Sequence, residues 1–210
     1  MQREQLLGKV KRVVVKIGTA TLTDGNGLVD QEFVENIAGQ VMQLRKQGMQ
    51  VIIVSSGAIG SGFREIGLGK PPRGIPLRQA SFAVGQNKLM FSYERAFGKF
   101  NQKIAQLLLT YDAFSSRHTY LNLRNAFNLL LKLGVIPIIN ENDIVSIDEI
   151  GASFGDNDML SALVASKLDA QLLILLSDID GLYTANPKKE AKAERIHIVA
   201  EISRQIEQMA

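Results

Sequence analysis

The chain has 210 residues, 46% hydrophobic and 21% charged, with a formal net charge of +3. That is long enough for a well-buried core, and the mildly basic balance suits anionic small molecules as well as it suits nucleic acid. It has no cysteine and only His118 and His197 as imidazoles, which excludes thiol catalysis and argues against a His-based zinc site.

No apolar run approaches the roughly 20 residues that a membrane-spanning helix needs. The opening "MQREQLLGKV" lacks the apolar core of a signal peptide, so a cytoplasmic location is expected. The basic stretches "KVKR" and "KKEAKAER" read as solvated faces rather than contacts to nucleic acid or membrane.

Taken in chain order, "VVVKIG" at 13–18 predicts a first strand. Asp30 then caps a helix with the apolar stripe Phe33, Ile37, Val41 and Leu44, stopped by Gly48. "VIIVSSG" at 51–57 predicts a second strand, running into a small-residue turn and a helix start. The Gly- and Pro-dense "GLGKPPRGIP" at 67–76 predicts a surface loop, followed by a helix over 77–97. "IAQLLLT" at 104–110 predicts a third strand, residues 120–133 a helix ended by Gly134, and "VIPIIN" at 135–140 a fourth strand. "IVSIDEIGASFG" alternates weakly and predicts a small hairpin or lid. "GDND" opens a helix carrying Leu160, Leu163, Val164 and Leu168, and "LLILLSD" at 172–178 predicts a fifth strand.

These strands are continuously apolar rather than alternating, the pattern of strands covered on both faces. Strand and helix in alternation predict right-handed crossovers, hence an α/β fold with a mostly parallel sheet between two helical layers.

In such a sheet ligands bind beyond the carboxyl ends of the strands. The polar residues gather there: "KIGTATLT" after the first strand, "SSGAIGSG" after the second, "NENDIV" after the fourth and "SDIDGLYTANP" after the fifth. Each cluster alone could be an ordinary strand exit, but four in succession predict one shared site. Lys16, set among Val and Ile, is costly to bury unpaired and should face a cleft or an anion. The turn with Ser55, Ser56, Gly57, Gly60 and Gly62 suits a helix N-terminus that binds an oxyanion. It matches neither the G-x-x-x-x-G-K-[ST] nor the G-x-G-x-x-G phosphate-binding pattern. Lysine, Gly-rich anion sites and acidic clusters together suit phosphoryl transfer, which is mostly positioning and charge neutralisation.

"VVVKIGTATLT", "VIIVSSGAIGSG", "VIPIINENDIV", "FGDNDMLSALVA" and "LLILLSDIDGLYTANP" occur in an order and spacing that resembles the amino acid kinase family, most closely its members that act on glutamate. The likeness runs from about Lys11 to at least Pro187. It implies the family's three-layer αβα sandwich and an ATP- and Mg2+-dependent phosphorylation of the side-chain carboxylate of L-glutamate, the first step of proline biosynthesis. By the same resemblance Lys16 contacts the ATP phosphates and is catalytic, and Asp158 orients the catalytic lysine. Ser56, Gly57, Asn140, Asp143, Asp156 and Asn157 bind glutamate. Gly18, Thr19, Ser177 and Asp178 join Lys16 at the nucleotide, with no metal bound directly by the chain. Proline as feedback inhibitor and a homo-oligomer are further implications.

One departure is plain. Family members continue past the position of Ala210 with a Gly-rich "GTGGM"-like loop and a second lysine, and many add an RNA-binding-like domain. The expectation is a single kinase domain over 1–210 that stops short of its C-terminal part. The rival readings are a relative acting on aspartate or another carboxylate, and a non-catalytic amino-acid sensor.

Overall fold

The computed structural model of the protein describes residues 3–24, 26–145 and 157–209. The element order is α1 (Arg3–Leu7), β1 (Arg12–Ile17), α2 (Thr19–Leu22), α3 (Gln31–Lys46), β2 (Gln50–Ser55), α4 (Ala58–Glu65), α5 (Ile75–Gly98), β3 (Ile104–Leu109), a 3-10 turn (Tyr111–Phe114), α6 (Arg117–Lys132), β4 (Ile136–Glu141), α7 (Asn157–Lys167), β5 (Leu172–Leu176) and α8 (Arg204–Glu207). By contact the chain divides into two compact units, Met1–Leu176 and Ser177–Ala210.

All five expected strands form. They make one parallel sheet in the order β3-β4-β2-β1-β5. β1 lies between β2 and β5, with Lys16 opposite Val54 on one side and Leu175 on the other. This central place explains its unbroken Val run: alternate residues feed opposite faces, and both faces are dry. Val13, Val15 and Ile17 pack with Val34, Ile37 and Val41 of α3 and with Phe82, Leu89, Tyr93 and Phe97 of α5. Val14 packs on the other face with Phe127 and Leu131 of α6 and with Leu160, Val164 and Leu168 in and just after α7. The result is the expected three-layer sandwich.

Local chemistry sets the helix ends. The Asp30 carboxylate accepts from the Phe33 N–H at 3.0 Å, and Gly48 follows the helix with φ +85°. Ser116 caps α6, so that helix begins at Arg117, ahead of the position expected from its apolar stripe. Pro76 falls in the first turn of α5, where its missing N–H costs no intrahelical bond, so the helix starts inside the stretch expected to be loop. The expected hairpin or lid over 144–155 lies largely outside the described residues. No helix among the described residues is long and apolar enough to cross a membrane.

α4 and α5 pack backbone to backbone through two glycines. A Cβ on Gly62 would lie 1.7 Å from the Ser81 carbonyl oxygen, and one on Gly85 would lie 1.8 Å from that of Ala58. This approach fixes where the first turn of α4 sits beyond β2.

Helix propensity alone favours alanine over glycine by about 1 kcal/mol. At Gly62 and Gly85 the steric clash outweighs that gain, so Gly62→Ala and Gly85→Ala should each destabilise the chain by about 2 kcal/mol or more. Gly39→Ala, mid-helix in α3 with its nearest neighbour at 3.9 Å, should instead leave stability unchanged or slightly raised. Urea unfolding of the three variants checks the contrast.

Candidate functional site

Beyond the carboxyl ends of β1, β2 and β4 lies a cavity of about 510 Å3, a size suited to a small metabolite. Its wall includes Thr19, the first turn of α4 from Gly57 to Gly60, Asn140, Asp143 and Asn157. Gly57 makes the turn into α4 with φ +95°, and a Cβ there would come within 3.0 Å of Leu22 Cδ2. The first intrahelical bond runs from the Ser61 N–H to the Gly57 carbonyl, and Gly57 as N-cap has no side chain to offer the N–H groups before it. Those amides and the helix dipole make this wall favourable to a carboxylate or phosphate oxygen.

Asn157, the first residue of α7, is 2% exposed and spans two strand ends. Its Nδ2 donates to the Ser55 carbonyl, to Ser56 Oγ and to Asn140 Oδ1, each at 2.9 Å. Two hydrogens serve three acceptors, so one bond is shared. The Ser55 carbonyl can only accept, which fixes the nitrogen inward and leaves Asn157 Oδ1 as the other end of the amide. That oxygen is buried and has no hydrogen-bond partner among the described residues. A buried acceptor left this way costs on the order of 1–3 kcal/mol, which a ligand donor would recover.

Asp143, 7% exposed, also keeps a buried Oδ1 without a hydrogen-bond partner among the described residues. Burial and, less strongly, the neighbouring Glu141 push its carboxyl up to about 7, while the Arg78 guanidinium opposes them. Arg78 and Arg64 supply positive charge to the same cavity, and Asp24 and Glu141 supply negative charge. The cavity wall thus holds buried acceptors, cations and the helix N–H groups together.

Lys16 sits near the exposed end of β1. Its ammonium pairs with Asp158 Oδ1 at 2.5 Å, and the lysine side chain is 12% exposed. Adjacent residues on a helix point about 100° apart, so Asn157 and Asp158 serve different strands. One reaches β2 and β4, the other β1. Gly18 flanks the lysine: a Cβ there would lie 3.4 Å from Lys16 Nζ and 3.4 Å from the Leu176 carbonyl oxygen.

The structure thus gathers Thr19, Ser56, Gly57, Asn140, Asp143 and Asn157 at one cavity and joins Lys16 to Asp158. Asp156 lies outside the described residues. Ser177 and Asp178 belong to the second unit, where the Ser177 hydroxyl donates to Asp178 at 3.3 Å and Lys188 pairs with the same carboxylate. That lysine holds Asp178 below the usual carboxylate range. The same unit contains an Asp180–Arg195 pair and a Tyr183 hydroxyl bonded to Asp180. Sequence reasoning missed Arg78 and Glu141. Glu141 stands inside "NEND" and could have been read as its second carboxylate, whereas Arg78 carries no local signal. Among the described residues no group of three or more His, Asp or Glu gathers to hold a metal ion.

Comparison with known proteins bears on the family and the fold. The sequence profile of the amino acid kinase family matches residues 11–205. A glutamate 5-kinase of Methanosarcina mazei is 54% identical over 98% of this chain and 55% of its own length. One from Citrifermentans bemidjiense is 50% identical over 99% of this chain and 55% of its own. The chain therefore spans about half the length of the curated relatives it matches. Among solved structures, a UMP kinase from Bacillus anthracis superposes with a TM-score of 0.58 at 18% identity, covering 89% of this chain and 72% of that one. One from Ureaplasma parvum gives 0.59 at 18% identity, covering 89% and 74%. At that identity the likeness concerns the fold alone.

The raised Asp143 carboxyl makes stability depend on pH. Between its ordinary value of 3.8 and about 7, the folded chain binds more protons than the unfolded one. The contribution is therefore full below about 4 and is lost as pH rises through 7. Asp143→Asn should flatten this fall, so the difference in unfolding free energy between variant and parent should shift in the variant's favour from pH 4 to pH 8. Urea titrations at several pH values check it.

Proposed function

The chain belongs to the amino acid kinase family, and on that premise we propose that it carries the acceptor site of an ATP-dependent kinase that phosphorylates the side-chain carboxylate of L-glutamate. The observation that carries this reading is a pair of buried acceptors without a partner among the described residues, Asn157 Oδ1 and Asp143 Oδ1, on two residues that line a cavity also holding the first turn of α4. An α-ammonium supplies donors to those two oxygens. The glutamate 5-kinase relatives at 50–54% identity support glutamate as the amino acid.

In the proposed reaction an oxygen of the glutamate side-chain carboxylate attacks the γ-phosphorus of ATP in line. The bond from that phosphorus to the β,γ-bridging oxygen breaks, and ADP leaves with the electron pair. The product is L-glutamyl 5-phosphate, and no covalent enzyme intermediate forms. Two anions must be held together for this, so cations and N–H donors carry most of the catalysis. Lys16 is the cation best placed on the sheet, projecting from the end of β1 with its ammonium held by Asp158. Gly18 keeps the space beside that ammonium free of a side chain. The first-turn amides of α4 and the Ser56 hydroxyl orient the substrate's oxygens, while Asn157 and Asp143 fix its ammonium end. Mg2+ would neutralise charge on the nucleotide; with no three-residue acidic cluster among the described residues, it fits as an ion held mainly by the phosphates.

The direct test is calorimetric titration of the chain with L-glutamate and with L-aspartate. Glutamate should bind more tightly, and Asp143→Ala and Asn157→Ala should each weaken it by roughly ten- to a hundredfold. In an assay of glutamate-dependent ADP formation, Lys16→Ala should reduce turnover by on the order of a thousandfold with little change in glutamate affinity. No binding of glutamate, or equal binding of aspartate, would contradict the assignment.

A further inference from the structure

Asn157 lines the cavity with its side-chain nitrogen held by three acceptors, and one of those acceptors is itself an amide. Asn140 Oδ1 accepts both from Asn157 Nδ2 and from the Glu141 backbone N–H, each at 2.9 Å. If the Asn140 amide turned over, its nitrogen would face two donors and both bonds would be lost. What holds it is Gln86 on α5: Asn140 Nδ2 donates to Gln86 Oε1 at 2.8 Å. Gln86 is 5% exposed and lies outside the cavity lining. Its own nitrogen donates to Gln106 Oε1 on β3 at 3.2 Å.

Each amide in this row has two chemically opposite ends, and two backbone groups decide the polarity of the row. The Ser55 carbonyl requires a donor from Asn157, and the Glu141 N–H requires an acceptor from Asn140. The free end of Asn140 is then a donor, and only an acceptor at Gln86 satisfies it. Hydrophobic packing alone does not explain an amide at this place. Gln86 sits on the α5 face that also buries Phe82, Leu89 and Tyr93, where a leucine would be the ordinary choice.

We propose that Gln86 is a positioning residue for the substrate ammonium, fixing the orientation of Asn140 and through it that of the Asn157 amide. It touches no substrate and acts two hydrogen bonds away. The proposal rests on the reading of the cavity as a glutamate site. It also adds a selectivity claim: Gln86 supports discrimination in favour of a ligand with an ammonium over one without.

Glutarate, which is glutamate lacking the amino group, separates this role from general support of the fold. The experiment is calorimetric titration of the unaltered chain, Gln86→Leu and Gln86→Glu with L-glutamate and with glutarate. Thermal unfolding of each is recorded in parallel. The ratio of glutamate to glutarate affinity should fall about tenfold in Gln86→Leu, with glutarate affinity unchanged. Gln86→Glu keeps an acceptor for Asn140 Nδ2 and should retain most of the ratio. Gln86→Met, which keeps the side-chain length, carries the same expectation as the leucine variant should that one not fold. A ratio preserved in Gln86→Leu or Gln86→Met overturns the proposal, as does an equal loss in Gln86→Glu. If the unaltered chain shows no preference for glutamate over glutarate, the glutamate reading itself falls and the proposal falls with it.

Discussion

The donation from the Asn157 side-chain amide to the ends of β2 and β4 is the constraint on which the site depends. A carboxamide has one donor end and one acceptor end, and the inward end here is fixed by a backbone carbonyl that cannot donate. The outward end is therefore fixed as well, without any ligand having to select it. Such preorganisation matters because a side chain already held by buried bonds loses little freedom when the substrate arrives. It also links three layers of the sandwich. α7 on one face, the sheet, and α5 on the other all contribute atoms to the same row of amides.

The next residue, Asp158, uses the same helix start for a different purpose. Its carboxylate holds the Lys16 ammonium at the end of β1, where the proposed phosphoryl transfer would bring its anions together. A lysine at that place needs a partner before substrates bind, because an unpaired charge next to the apolar flank of β1 is unfavourable. The pair is partly exposed, so its contribution to folding is small, and in the proposed reaction it would serve to aim the cation. Polar residues that look redundant as helix caps thus divide between two strands, and the 100° step between neighbours on a helix is what divides them.

Much of this was legible in the sequence because the signals were local. The unbroken Val and Ile runs identify strands covered on both faces, and the polar residues just after them mark the end of the sheet where a site can form. Lys16 was conspicuous as a charge in an apolar strand. The cap at Asp30 and the stop at Gly48 follow from backbone chemistry within a few residues. What escaped depends on distant pairings. Gln86 reads as one more polar residue in a long helix until Asn140 is brought against it from 54 positions away. Gly62 and Gly85 read as flexible positions until their two helices are seen to touch at the backbone. Arg78 reads as a solvated first-turn arginine, and only the folded chain brings it to the cavity, where its charge acts on Asp143.

A crystal structure of the chain with L-glutamate bound would test the central claim most directly. The account predicts the α-ammonium within hydrogen-bonding distance of both Asn157 Oδ1 and Asp143, with the side-chain carboxylate turned toward the first turn of α4 and Lys16. Glutamate bound outside this cavity, or bound in it with its ammonium toward Lys16 and its α-carboxylate against Asp143, would contradict the account.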